Sequence, residues 1–212
     1  MATKIYTITL LLFVAMATTF STCKKGGLGC ANTVYNFKVI ASTYPDNDSI
    51  SIGDTIWISA DFPKTLLDLN SNSNVGFIGA ANLGTALSFD IFTGGSISNP
   101  GTKYAANNFN YLLFMGDSVS NPLAERIREY LFKEMDNSYD FKLAIIPKVV
   151  GTYAIAISDA ANVYTRSDKC TKAAFEIDFA NTHQHLYLYQ NNRPGYQISG
   201  YEEMHMYCFK VY

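Results

Sequence analysis

Short runs in which apolar and polar residues alternate are the feature that most constrains how this chain folds. The clearest run places Tyr139, Phe141, Leu143 and Ile145 at every second position. Because successive side chains of a β-strand point to opposite faces of a sheet, this spacing predicts a strand with one buried face. Gly, Pro, Asn and Asp separate such runs, which predict strands at residues 35–39, 55–60, 87–92, 109–115, 139–146, 153–157, 173–179, 185–190 and 207–212.

Short strands with turn residues between them predict an all-β chain, an antiparallel β-sandwich with at most one or two short helices. The stretch from Pro147 to Tyr153 resembles the corner that leads into a late strand of immunoglobulin-like sandwiches. In that corner a Gly-x-Tyr sequence packs its ring over the turn, and the tyrosine hydroxyl bonds to the backbone. The resemblance implies an Ig-like or related sandwich in which Tyr153 has this role.

Two segments fit the strand pattern less well. Residues 122–135 suit a helix, because Pro122 can begin one and apolar residues recur at every fourth position. They also suit a strand that pairs with residues 139–146 through a tight turn, and the clear strand next to them favours this interpretation. Residues 63–69 are expected to form a single helical turn that begins at Pro63.

The charge balance excludes one large class of function. The 212 residues include 16 Lys and Arg against 18 Asp and Glu, a formal net charge of −2. Without a basic excess the chain cannot neutralise a phosphate backbone, so we expect no nucleic-acid partner. Hydrophobic residues make up 48% of the sequence and charged residues 16%, which is too apolar for a disordered chain.

The N-terminus has the pattern of a secretory signal. Lys4 precedes an uncharged, apolar stretch at residues 5–20, which is shorter than the roughly 20 residues of a transmembrane helix. Residues 20–23, Phe-Ser-Thr-Cys, resemble a lipobox, in which cleavage before a cysteine accompanies acylation of its thiol. Phe20 departs from the usual Leu, and Thr22 departs from the usual Gly or Ala. The resemblance implies removal of residues 1–22 and acylation of Cys23.

Two lysines and a glycine pair follow the lipobox, and the chain closes on the strand-like residues 207–212. Together these features resemble a lipoprotein family of the Bacteroidota type. The resemblance implies a lipid anchor at the outer membrane in the cell envelope, with the periplasmic face favoured over the cell surface, but it implies no activity. Residues 23–33 would then be a flexible tether, and residues 34–212 a single β-sandwich domain. Cys30 is a second lipidation candidate, disfavoured because the two lysines would then lie in the cleavage region.

With Cys23 acylated, three cysteines remain for an oxidising compartment. We expect a disulfide between Cys170 and Cys208, because both lie beside strand-like segments whereas Cys30 lies in the glycine-rich tether. Three free thiols are the alternative. No CxxC spacing indicates a structural metal site.

His183 and His185 are two residues apart at the start of the predicted strand 185–190, so they would share one face with Tyr187 and Tyr189. Two imidazoles at this spacing can bind a metal when a third ligand joins them. The candidates for that third ligand are His205, Glu202 and Glu203. We favour the simpler interpretation, a solvated polar and aromatic face, and expect no cofactor.

Oxygen-bearing side chains alternate from Asp68 to Asn74, as they do at the start of a calcium loop. Ser73 and Gly79 stand where that loop needs a glycine and a bidentate glutamate, so the segment predicts a turn instead. The sequence also lacks a Gly-x-Ser-x-Gly nucleophile motif and a glycine-rich phosphate loop after a strand. We therefore expect no enzyme.

Binding is the remaining class of function. Fifteen tyrosines and one tryptophan suit stacking on sugar rings, and the candidate ligand-binding residues are Tyr187, Tyr189 and Trp57. An envelope protein that binds at an exposed strand edge is the other expected partner. The sequence predicts a lipid-anchored, non-enzymatic binding or structural module. Glycan capture is the alternative, and a metal-dependent or carboxylate-based hydrolase is the second alternative.

Overall fold

The computed structural model describes residues 33–120, 123–180 and 184–212. In chain order its strands are β1 (Val34–Tyr44), β2 (Ser49–Ile50), β3 (Ile56–Pro63), β4 (Thr65–Asp68), β5 (Ser73–Gly76), β6 (Gly84–Phe92), β7 (Thr102–Tyr104), β8 (Phe109–Met115), β9 (Asp117–Val119), β10 (Ile127–Leu131), β11 (Lys133–Glu134), β12 (Ser138–Pro147), β13 (Gly151–Asp159), β14 (Tyr164–Thr165), β15 (Lys172–Phe179) and β16 (Met206–Val211). The described helices are α1 (Tyr187–Asn192) and α2 (Gly200–His205), with a 3-10 turn at Ala106–Asn108. Neither α1 nor α2 has the length and hydropathy that crossing a membrane requires.

The strands form two seven-stranded sheets and a separate hairpin of β4 and β5. The first sheet has the order β11-β12-β3-β1-β15-β14, with β8 also beside β12. The second has the order β2-β16-β13-β6-β10-β9, with β7 also beside β6. Most neighbours are antiparallel, whereas β1 with β15 and β16 with β2 are parallel. The all-β sandwich predicted from the alternation is confirmed.

The core lies between the two sheets and is built largely from aromatic rings. Phe109 of the first sheet packs against Phe89 and Tyr153 of the second, with ring centroids 5.4 and 5.0 Å apart. Tyr130 and Phe141 make a similar contact across the sandwich at 5.4 Å. The predicted inward face of β12 is buried as expected. Burying large rings from both sheets is the main source of stability for such a sandwich.

The predicted corner before β13 is confirmed. The hydroxyl of Tyr153 donates a hydrogen bond to the carbonyl oxygen of Val149, 2.8 Å away. Asn108 donates its side-chain amide to the same hydroxyl at 3.2 Å, and the Tyr153 ring stacks on Phe209. This buried tyrosine therefore ties the loop between β12 and β13 to the core.

The strand interpretation of residues 122–135 is confirmed for residues 127–131 and 133–134, but only the second of these strands pairs as predicted. β11 forms the expected hairpin with β12, closed by a hydrogen bond from Met135 N to Ser138 O. β10 instead pairs with β6 and β9 in the second sheet. The chain thus passes from the second sheet to the first at the buried Phe132. The prediction assumed that the whole stretch pairs with the next strand in the chain, so it did not include this crossing. Pro122 lies outside the described residues.

The helical turn predicted at residues 63–69 is wrong. β3 runs on to Pro63, and β4 begins two residues later. Leu66 and Asp68 are buried while Leu67 between them is exposed, which is the period of a strand. The predicted turn at Asp68 does form, because its carboxylate accepts hydrogen bonds from the N–H and the hydroxyl of Ser71. The burial of alternate side chains has overridden the tendency of proline to begin a helix.

The strand predicted at residues 185–190 is also wrong, since residues 187–190 belong to α1. His185 adopts a φ of 53°, and its carbonyl accepts a hydrogen bond from Leu188 N, so the chain turns where an extended strand was expected. Leucine and tyrosine alternate here, and because both are apolar the pattern does not separate an inner face from an outer one.

Candidate functional site

Tyr187 and Tyr189 do not form the predicted pair. In a helix, residues two apart point about 200° away from each other, rather than to one side as in a strand. Tyr187 is 47% exposed, whereas Tyr189 is buried. The Tyr187 hydroxyl donates to the carboxylate of Asp48, which is the main cause of the lowered pKa of Asp48. The predicted stacking surface at these two residues is therefore absent.

Tyr189 belongs to a small satellite core under α1. Its ring packs against Phe92 and Tyr196, with centroids 5.6 and 5.8 Å away. Its hydroxyl accepts a hydrogen bond from Arg193 at 2.7 Å, and burial raises the pKa of Tyr189. The role of Tyr189 is to hold α1 and the following loop on the second sheet.

His185, the described member of the predicted histidine pair, does not meet the third ligands proposed for that pair. His183 lies outside the described residues. His185 is buried, and its Nε2 lies 3.4 Å from Asp46 Oδ1 at a cavity of about 540 Å³. His205 lies instead against Asp178 of β15. The remaining candidates are also elsewhere: Glu202 caps α2 through Ser199, and Glu203 is exposed.

The predicted bridge between Cys170 and Cys208 is not formed. Cys208 is a free cysteine with no exposed surface. It lies on β16 beside Ala154 and Tyr189, in the satellite core of the second sheet. Cys170 precedes β15 of the first sheet and is disulfide-bonded, but not to Cys208. Cys23 lies outside the described residues, so its acylation stays a prediction.

Trp57, the third predicted ligand-binding residue, lies on the outward face of the first sheet. The strand register places Tyr44 beside Trp57, Trp57 beside Ala144, and Ala144 beside Leu112. These four residues form one row across β1, β3, β12 and β8. The ring centroid of Phe114 lies 4.9 Å from that of Trp57 and extends the row.

We call Tyr44, Trp57, Leu112 and Phe114 the aromatic face. Tyr44 is 73% exposed, Phe114 59% and Leu112 52%. Trp57 is half-buried, because Phe114 covers one side and the Lys142 ammonium lies 4.7 Å from the ring centroid. Large apolar side chains exposed next to one another in this way mark a binding surface more often than isolated ones do.

The aromatic face reaches the edge of its sheet at β8. Within the described residues β8 pairs with β12 alone, so its other side carries unpaired backbone groups. Edge strands usually avoid pairing with other chains by being short or by carrying charged residues or proline. The seven residues of β8 contain neither charge nor proline, and Leu112 and Phe114 project outward. This edge is open to strand addition.

A cleft lies on the other side of the same edge strand. It has a volume of about 270 Å³ and separates β8 from β9 and β10. Tyr111 and Leu113 line it from β8, and Val119 and Arg128 line it from the second sheet. The Arg128 guanidinium lies 4.9 Å from the Tyr111 ring centroid. A strand added at β8 would thus place alternate side chains on the aromatic face and toward this cleft.

The sequence predicted β8 as a strand but did not identify it as a site. The signal was present in the run Phe-Asn-Tyr-Leu-Leu-Phe-Met, where both faces of a strand are apolar. Such a run is typical of a strand buried on both sides. Here one side is exposed, and only the sheet order shows that difference.

Comparisons with known proteins identify no family for this chain. No family model matches the chain, and no curated protein matches it in sequence. The structure resembles a non-cellulosomal cohesin from Archaeoglobus fulgidus at 8% identity and a TM-score of 0.27, covering 68% of this chain and 91% of the cohesin. A type II cohesin module of the ScaA scaffoldin of Acetivibrio cellulolyticus matches at 7% identity and a TM-score of 0.29, covering 66% and 92%. The C. elegans Cep-1 DNA-binding domain matches at 6% identity and a TM-score of 0.33. The match covers 73% of this chain and 94% of the Cep-1 chain.

Proposed function

We propose that this chain is a lipoprotein, anchored at the outer membrane through acylated Cys23, whose β-sandwich is a non-enzymatic module that binds another envelope protein. The lipobox-like residues 20–23 and the apolar stretch before them support the anchor. The aromatic face, which reaches the edge of its sheet at β8, supports the binding role. An anchored module with an open strand edge can capture a partner within the envelope.

One observation carries the choice of a protein partner. Leu112 and Phe114 are exposed on a strand whose outer backbone edge is unpaired within the described residues. A partner strand would satisfy the backbone groups and cover the two side chains at the same time. Full burial of such a side chain contributes about 1.5–3 kcal/mol. Both the hydrogen-bonding edge and the apolar surface of a strand-addition site are therefore in place.

A glycan is the second candidate, favoured by the adjacency of Tyr44 and Trp57 in one row. Aromatic rings side by side on the face of a sheet can stack on successive sugar units. The two candidates differ in the residues that they need. Strand addition depends on Leu112 and Phe114, whereas sugar stacking depends on Tyr44.

The test compares surface variants of the full chain, expressed with its lipid signal and purified from membranes. Phe114→Ser and Leu112→Ser should abolish co-purification of the partner, and Tyr44→Ala should leave it. Val150→Ser is the matched control, because Val150 is 56% exposed and lies outside the aromatic face. Partner recovery that is equal in all four variants would contradict the proposal. Binding on a glycan array that only Tyr44→Ala abolishes would replace it with glycan capture.

A further inference from the structure

We propose that Glu176, Asp178 and His205 form a binding site for a divalent transition-metal ion, with zinc as the preferred ion. Glu176 and Asp178 lie two residues apart on β15, so they project from the same face of the strand. His205 comes from the end of α2, which packs on that face. One ligand atom from each of the three residues lies within 4.8 Å of the other two.

The orientation of the His205 ring is fixed on its other side. Its Nδ1 lies 2.8 Å from the carbonyl oxygen of Tyr201. A carbonyl oxygen only accepts hydrogen bonds, so Nδ1 carries a proton. The Tyr201 ring also stacks on the imidazole, with centroids 4.1 Å apart. Zinc-bound histidines typically use their second nitrogen in the same way, as a donor to a carbonyl or a carboxylate.

The other nitrogen of this ring lies close to a second buried acceptor. Nε2 of His205 lies 3.2 Å from Oδ1 of Asp178, and both side chains are more than nine-tenths buried. Oδ1 has no hydrogen-bond partner among the described residues. With the proton on Nδ1, Nε2 of the neutral ring is also an acceptor, so two acceptor atoms lie 3.2 Å apart with no donor between them. A positive charge between them, either a second ring proton or a metal ion, resolves this contact.

The spacing between His205 and Asp178 matches that of two ligands of one metal ion. Zinc binds nitrogen and carboxylate oxygen at about 2.0–2.2 Å in tetrahedral geometry, which puts neighbouring ligand atoms roughly 3.3–3.5 Å apart. The observed Nε2 to Oδ1 distance of 3.2 Å is close to that value. Imidazole with carboxylates is also a donor set that zinc accepts. The site therefore offers three ligands and leaves a fourth position for water.

Lys38 currently supplies the positive charge at the carboxylates. Its ammonium contacts Asp178 Oδ2 and lies 3.6 Å from Glu176 Oε1. The Lys38 side chain is 37% exposed, so it can turn toward solvent when a doubly charged ion arrives. A cavity of about 360 Å³, lined in part by Glu176, Tyr201 and His205, provides the path of entry. Lys38 would therefore compete with the metal ion for the two carboxylates.

Calorimetric titration of the full chain with Zn²⁺ alone tests the proposal. We expect one ion per chain, and an affinity at least about tenfold lower in His205→Phe, which retains an aromatic ring on Tyr201 but has no nitrogen ligand. Lys38→Met should bind more tightly, because the competing ammonium is removed. Glu176→Gln, at a half-exposed position, gives a second ligand variant if His205→Phe does not fold.

The other two histidines provide the controls. His183→Ala and His185→Ala should bind Zn²⁺ as the wild type does. Cobalt substituted for zinc should give the absorption bands of a tetrahedral site in the wild type and lose them in His205→Phe. The absence of stoichiometric Zn²⁺ binding would overturn the proposal. So would binding that Glu176→Gln and His205→Phe leave intact, or binding that His185→Ala abolishes.

Discussion

The ammonium nitrogen of Lys142 lies 4.7 Å from the centroid of the Trp57 ring, on the outward side of the first sheet. The two residues are on neighbouring strands, β12 and β3, and Phe114 of β8 contacts the same ring. Trp57 is thus contacted by one side chain from β12 and one from β8. The aromatic face therefore exists before any partner binds, so binding does not have to order its central ring.

Replacing Lys142 should destabilise the sandwich slightly. Lys142→Met removes the cation from the Trp57 ring, and we expect a loss of about 0.5–1 kcal/mol in the free energy of unfolding. Lys148→Met, at an exposed lysine just after β12, should change it by less than about 0.5 kcal/mol. Urea unfolding followed by tryptophan fluorescence measures both. Equal effects of the two substitutions would show that the contact contributes nothing.

The tyrosine corner makes a larger contribution, because it is buried. Tyr153→Phe deletes the hydroxyl that bonds to Val149 O and leaves that carbonyl without its donor. We expect the free energy of unfolding to fall by about 1–2 kcal/mol. Tyr212→Phe is the control, since Tyr212 is 65% exposed. A Tyr153→Phe variant as stable as this control would contradict the role assigned to the corner.

Cys208 should be chemically inert in the folded protein. Burial raises the pKa of its thiol, so the reactive thiolate is not formed at neutral or mildly alkaline pH. We expect iodoacetamide to leave Cys208 unmodified in the native chain and to alkylate it fully in denaturant. Mass spectrometry of tryptic peptides reads out both states. Rapid alkylation under native conditions would mean that β16 and α1 open readily.

The disulfide at Cys170 predicts a connection to the N-terminal part of the chain. The sequence has four cysteines, Cys208 is free, and acylation would occupy Cys23. We therefore expect Cys30 to be the partner of Cys170, which would fasten the lipid tether to the sandwich. Peptide mapping without reductant should recover a linked Cys30 and Cys170 peptide. A Cys170 thiol that alkylates without reduction would contradict this prediction.

Asp68 should contribute to stability at neutral pH and lose that contribution in acid. Hydrogen bonds from Ser71 and from the Asn36 N–H hold the pKa of Asp68 below its usual value. This stabilisation is complete above the unfolded-state pKa of about 3.9 and disappears as the pH falls through the lower folded-state pKa. Asp68→Asn should therefore be less stable than wild type at neutral pH, and the difference should shrink well below pH 4.

Urea unfolding at neutral pH and in acid provides this comparison, with the exposed Asp136→Asn as the control. The control should track the wild type at both values. If Asp68→Asn is less stable than the wild type by the same free energy of unfolding at both pH values, the carboxylate charge does not contribute to stability. That result would contradict the prediction.

The sequence predicted most of the sandwich because a strand that is buried on one side alternates apolar and polar residues. Tyr139, Phe141, Leu143 and Ile145 alternate and are all buried on β12. The same reasoning failed at Tyr187, where alternating leucine and tyrosine gave no polar face to locate. There the packing of Tyr189 onto Phe92 decides the structure, and that contact joins residues far apart in the chain.

The candidate site was only partly predictable for a related reason. Trp57 could be placed on an outward face from its neighbours Ile56 and Ile58, which are buried. The residues around Trp57 could not be predicted. Phe114 contacts Trp57 because β8 and β3 both pair with β12, and this strand order is not encoded locally. The meeting of Asp178 with His205 likewise depends on how α2 packs against β15, which no local pattern in the sequence encodes.

Site-specific photo-cross-linking in the native envelope tests the central claim, that β8 and the aromatic face bind a protein partner. A photoreactive phenylalanine analogue replaces Phe114 in the full chain, and in a second variant it replaces the exposed control Val150. We expect irradiation to link position 114 to one discrete envelope protein and position 150 to none. The same products from both positions, or no protein product from position 114, would contradict the account.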